Sequence, residues 1–189
     1  MDALMIVLVV TFLAQLGGRS SGFATRLAER TGAIVPVLSG IIVAQAVLAA
    51  MAVALGIAIA PELTPEFRSL LLALALILIG VALTTRIPQP GSPFGWPRLG
   101  AFGTALFGGG TILLADSGMM LVAAAAARSP LPWAAWPAAI LGLVGALLPP
   151  LMLGEREWQR LPWRMVRIAT GAVLMLAGVV IGLSTKGLI

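Results

Sequence analysis

The sequence predicts an all-α integral membrane protein whose six transmembrane helices form two inverted three-helix repeats. Three observations carry that expectation. The chain has 189 residues, 60% hydrophobic and 10% charged, with a mean hydropathy of +1.07. An ordinary soluble domain carries roughly 25% charged residues, so lipid is the solvent that suits this composition. Six stretches reach the length of about 20 mostly apolar residues that crosses a bilayer core, and the second half of the chain echoes the first.

The spans fall at roughly 3–29, 33–59, 67–85, 99–127, 133–153 and 165–185, separated by polar or Pro/Gly-rich segments. The first and fourth are each about 28 residues, or about 42 Å as straight helix, against a hydrocarbon core of about 30 Å. Such lengths call for tilt or a mid-membrane break. Glycine and polar residues favour a break, at Gly17-Gly18-Arg19-Ser20-Ser21-Gly22 in the first span. In the fourth they are Gly108-Gly109-Gly110 and Asp116-Ser117-Gly118. Pro149-Pro150 should kink or end the fifth span.

The third span reads Leu76-Ile77-Leu78-Ile79-Gly80-Val81, and the sixth reads Leu174-Met175-Leu176-Ala177-Gly178-Val179, 98 residues later. At an offset of 101, Ala14 meets Ala115, Gly17 meets Gly118 and Pro36 meets Pro137. The chain is therefore divided into a first three-helix repeat (1–85), a Pro-rich linker (86–98) and a second repeat (99–189). Three spans per half give the halves opposite orientations, the plan of many secondary transporters.

Orientation follows from Lys/Arg asymmetry. Arg26, Arg30, Arg86, Arg98, Arg156, Arg160, Arg164 and Arg167 lie at the ends joined by the first, third and fifth loops; Arg68, Arg128 and Lys186 lie opposite. These loops, the 86–98 linker among them, are placed in the cytoplasm and both termini outside. The start Met1-Asp2-Ala3 lacks the basic region of a signal peptide, and no targeting extension is read. Both favour a multi-pass protein of a bacterial-type plasma (inner) membrane. The formal charge of +5 reflects arginines at cytoplasmic helix ends, and nucleic acid is not an expected partner. The bilayer is, with further copies or a paralogous membrane protein as candidates.

Cysteine and histidine are absent. That removes disulfides, thiolate and imidazole metal ligands, and the usual nucleophiles and acid–base groups, so no enzyme activity and no cofactor are expected. Oxygen ligands remain, suited to hard cations. Charge inside a span costs about 2.5–3.5 kcal/mol on insertion scales and marks function by default. Two such residues sit near mid-span, Arg19 and Asp116. On a continuous helix Gln15, Gly18, Arg19 and Gly22 would share one face. Arg19 and Asp116 could belong to a polar site, form a structural ion pair, or leave Arg19 to snorkel to the headgroups. Ser39, Gln45, Thr104 and Thr111 are read as interhelical hydrogen-bonding groups. Trp96, Trp133, Trp136, Trp158 and Trp163 are read as an interfacial belt, and the mixed-charge stretch 155–167 as lying along the cytoplasmic interface.

The stretch Thr11-Phe12-Leu13-Ala14-Gln15-Leu16-Gly17-Gly18-Arg19-Ser20 resembles the transmembrane protein 165 (Gdt-type) family of Mn²⁺/Ca²⁺ cation/proton exchangers. That family has six helices in two inverted halves, each with Glu-x-Gly-Asp-(Lys/Arg)-(Thr/Ser) in its first helix. The resemblance implies ion-site roles for Gln15, Gly17, Gly18, Arg19 and Ser20, and for Asp116, Ser117 and Gly118, with Mn²⁺ or Ca²⁺ as transported ions. Gly17, Arg19 and Ser20 match the first motif, whereas Gln15 stands for its Glu and Gly18 for its Asp. In the second half Asp116-Ser117-Gly118 stands for Glu-x-Gly, and Met119, Met120 and Leu121 take the next three places. Asp116 and Gln15 are the metal-ligand candidates. Hard divalent ions want several anionic oxygens, so the metal site reads as eroded, with Arg19 in the metal's place and paired to Asp116. Two alternatives stand beside an exchanger with an altered site: a non-transporting structural or regulatory protein on the same scaffold, and an exporter of small organic solutes. An internal cavity at Asp116 would favour transport.

Overall fold

The computed structural model describes residues 2–85, 99–160 and 162–185. The Pro-rich linker at 86–98 lies outside the described residues. Eight α-helices follow in order: α1 (Asp2–Gln15), α2 (Arg19–Thr31), α3 (Ile34–Ile59), α4 (Pro65–Thr84), α5 (Gly100–Leu114), α6 (Gly118–Arg128), α7 (Ala135–Arg160) and α8 (Trp163–Thr185). No strand occurs among the described residues. Helices are what lipid permits, because each backbone N–H and C=O must find its partner within the segment.

Four helical segments, Ile34–Glu62, Pro65–Thr84, Pro132–Gly154 and Trp163–Thr185, are long and apolar enough to cross a membrane. Two bent pairs join them: α1 and α2 meet at 60°, and α5 and α6 at 68°. Counting each pair as one broken span gives six, so the chain is a multi-pass membrane protein. Both long spans do break, but the second breaks only at Ala115–Ser117. Gly108, Gly109 and Gly110 run on inside α5, where Gly108 lies against the Phe23 ring and Gly109 against Ile41. Their role is close packing.

Local signals set the other ends. Thr64 caps α4 by accepting a hydrogen bond from the Phe67 N–H at 3.4 Å, with Pro65 following at the first helical position, where its missing N–H costs nothing. Helix α7 passes through Pro149 and Pro150 and is interrupted instead at Gly154, whose φ of 80° and ψ of 164° leave the helical region. The stretch beyond that interruption is helical and packs into the bundle. Trp158 is only 6% exposed, and its ring stacks on Trp163 with centroids 4.0 Å apart. The Trp163 Nε1–H donates to the Trp158 carbonyl at 2.6 Å. These two tryptophans therefore are not a headgroup belt, whereas Trp133 and Trp136 remain exposed.

The helices pair across the two halves: α1 packs on α7, α3 on α5, and α4 on α8. Small residues let the backbones approach, as membrane helices require in the absence of a hydrophobic drive between them. A Cβ on Gly80 would sit 2.6 Å from the Gly171 carbonyl, and one on Gly178 would sit 2.7 Å from the Ala73 carbonyl. Along α3, Val47, Met51 and Leu55 are exposed at four-residue spacing, an apolar stripe for lipid to cover. Of the groups expected to bond between helices, Gln45 does so, donating to the Ala139 carbonyl on α7 at 3.5 Å. Ser39 and Thr111 turn back onto carbonyls of their own helices.

Candidate transport site

Two helix breaks bring the sequence-predicted residues together. Gln15 is the last residue of α1, and Asp116 sits between α5 and α6. The Gln15 Nε2 donates to Asp116 Oδ2 at 2.8 Å. The Ser20 hydroxyl, in the first turn of α2, donates to Gln15 Oε1. Gln15 thus links both limbs of the first break to the second, and both Gln15 and Ser20 are buried, at 6% and 2% exposure. The backbone N–H groups of Ser117 and Gly118, at the start of α6, also face the Asp116 carboxylate. A helix N-terminus carries partial positive charge, which favours a carboxylate beside the start of α6.

The break itself needs glycine at one position. Gly17 adopts φ +62°, which costs a residue with a Cβ about 1–2 kcal/mol. The Trp163 ring covers it, and a Cβ there would lie 2.9 Å from two ring carbons. Arg167 Nη1 donates to the Gly17 carbonyl at 2.9 Å, satisfying an acceptor that the interrupted helix leaves open. Helix α8 of the second half therefore braces the break of the first.

Arg19 is placed differently from expectation. Because the helix stops at Gln15 and restarts at Arg19, Gln15, Gly18, Arg19 and Gly22 do not form one continuous face. The turn aims Gln15, and not Arg19, at Asp116. Arg19 is exposed, and among the described residues it has no hydrogen bond or ion pair. The cation acting on Asp116 is Arg167. In the sequence Arg167 reads as a topological arginine at the end of a span; nothing local marks it as a neighbour of residues 15–17 and 116, roughly 150 and 50 positions away. Trp163 was missed for the same reason.

These residues surround a cavity of about 320 Å³. Its polar wall is Gln15, Arg19, Ser20, Asp116, Ser117 and Arg167, and its apolar wall runs along α4 from Leu78 to Leu83. The Ser117 hydroxyl oxygen is buried without a partner. No group of three or more Asp or Glu side chains that could hold a metal ion occurs among the described residues. Arg19, Arg167 and the Asp116 carboxylate all line this cavity, and Arg167 is the cation that acts on Asp116.

Residues 3–89 match the family model described as divalent cation/proton antiporter GDT1. No curated protein matches the chain, nor does any solved structure.

Proposed function

We propose, from the match of residues 3–89 to the divalent cation/proton antiporter GDT1 model, that the chain is a transporter of that family working by alternating access around the Gln15–Asp116 contact, with a site no longer suited to Mn²⁺ or Ca²⁺. The observation that carries the reading is the cavity lined by residues of both helix breaks, with Asp116 on its wall. A protein that merely kept the scaffold would have no reason to hold open a polar cavity there, since apolar filling is the more stable solution.

The two-fold plan of an inverted repeat supports the mechanism. Gln15 touches Asp116, its counterpart 101 positions on. Gly80 packs on the Gly171 backbone and Gly178 on that of Ala73; an offset of 98 exchanges these two contacts. Likewise Gly142 packs on Leu8 and Gly109 on Ile41, contacts exchanged by the offset of 101. Rocking one half against the other would then expose the site alternately to either side. Gln15, Ser20, Asp116 and Ser117 face the cargo in this scheme, Gly17, Gly18 and Gly118 shape the breaks, and Arg167 and Arg19 supply charge that would repel a divalent ion. The cytoplasmic placement of the first, third and fifth loops belongs to the same reading.

The test is proton flux driven by Mn²⁺ or Ca²⁺ in proteoliposomes, for the wild type and Asp116→Asn. The expected outcome is no divalent-driven flux in either protein. Flux in the wild type that Asp116→Asn abolishes would show a working cation site and refute the altered-site reading.

A further inference from the structure

Among the described residues, the cavity is lined by two arginines and one carboxylate. Asp116 is already engaged: it accepts from Gln15 Nε2 and faces the backbone N–H groups of Ser117 and Gly118, with Arg167 as its nearby cation. Arg167 in turn is fixed to the Gly17 carbonyl. Arg19 lines the same cavity with no partner among the described residues, leaving one positive charge uncompensated. Helix α2 begins beside it at Gly18, which has no side chain to cap the first turn. Asp116, which lies beside the start of α6, has as its counterpart Gln15, whose oxygen is taken up by the Ser20 hydroxyl.

We propose that this cavity binds a small monovalent anion of the carboxylate type, held by the Arg19 guanidinium and the open first turn of α2. The proposal rests on the transport-site reading and names its cargo class. A guanidinium presents a planar fork of donors that matches a carboxylate, and backbone N–H groups at a helix N-terminus add further donors to an anion. A monoanion would cancel the surplus charge, which is costly within a bilayer; a divalent cation would add to it. At about 30 Å³ per water-sized unit, a cavity of about 320 Å³ admits a ligand of several heavy atoms, such as a short-chain organic acid, with some water.

The experiment uses the full chain in phosphatidylcholine vesicles and measures binding of isotopically labelled lactate, with acetate and nitrate as competitors. Saturable lactate binding is expected, weakened at least tenfold by Arg19→Gln. Asp116→Asn should bind the anion more tightly than the wild type, because it removes a like charge from the cavity wall. Arg128→Gln, at the far end of α6, should match the wild type. Size-exclusion profiles and helicity confirm that each variant is folded. Absence of saturable binding to all three anions overturns the proposal, as does Arg19→Gln binding within twofold of wild type. Displacement of lactate by added phosphatidylglycerol would make Arg19 a lipid headgroup anchor and also overturns it. The divalent-flux assay fails separately: Mn²⁺-driven flux lost in Asp116→Asn refutes the altered-site reading, whereas no anion binding together with no such flux refutes the cargo class alone.

Discussion

Replacing Gly17 with alanine tests how the first helix break is held. Two costs follow from the structure. The backbone at Gly17 has φ +62°, and a residue with a Cβ in that region loses about 1–2 kcal/mol. The new Cβ would also lie 2.9 Å from Cδ2 and Cε3 of Trp163, and overpacking of this kind typically costs about 1–3 kcal/mol. Gly17→Ala should therefore destabilise the protein by about 2–5 kcal/mol, the upper end applying if the Trp163–Trp158 stack prevents the ring from moving. The assay is reversible unfolding in mixed micelles followed by far-ultraviolet circular dichroism, for Gly17→Ala, Trp163→Ala and the double variant. Removing the indole removes the clash but not the backbone cost. The double variant should be more stable than the two single changes sum to, by about 1–3 kcal/mol, the range in which contacting residues couple. A loss below about 0.5 kcal/mol in Gly17→Ala, well under that backbone cost, would refute the assigned break. Strict additivity would refute the Trp163 contact.

Other changes probe the remaining contacts. Gly80→Leu and Gly178→Leu should each lower stability by about 3 kcal/mol or more, since each drives a side chain into the facing backbone of the α4–α8 pair; similar losses in the same unfolding assay are expected, and a strongly unequal pair would count against the two-fold plan. Arg167→Gln should cost about 1.5–3 kcal/mol, the worth of a hydrogen bond to a charged group, because the Gly17 carbonyl loses its donor; amide hydrogen exchange at residues 15–20 should rise with it. Trp136→Phe removes the 2.8 Å bond to the Ala46 carbonyl that ties α7 to α3, a loss of about 1 kcal/mol. Gln15→Leu should disconnect Ser20 from Asp116, leaving a buried hydroxyl without its acceptor at a cost of about 1–3 kcal/mol, read again as a shift in the unfolding midpoint.

Much of the fold is written locally. Apolar runs long enough to cross a bilayer must become helices, because lipid offers the backbone no other partners. The excess length of the first and fourth spans signals both breaks, at Gly17-Gly18 in one and at Asp116-Ser117-Gly118 in the other, but the glycine run 108–110 offers a second candidate in the fourth that the structure leaves helical. Sequence reasoning pairs Asp116 with Arg19, whereas the residue that touches it is Gln15, which holds the corresponding place in the first motif. What helix geometry alone could not supply is the direction of the side chains beyond each break. A bend of 60° and the positive φ at Gly17 rotate Arg19 away from the face it would share with Gln15 on an unbroken helix.

Composition and periodicity thus decide the solvent, the number of spans and the places where they fail, since those depend on each segment's own hydrophobicity and backbone. The partner of Asp116, the brace over Gly17 and the placement of Arg19 on the cavity wall depend on which helices lie side by side. Arg167 reaches the first break only because α8 packs against α4 and past α1, across 150 residues of chain. Such contacts are set by small residues that let distant backbones approach, and their geometry exists only once the bundle has closed.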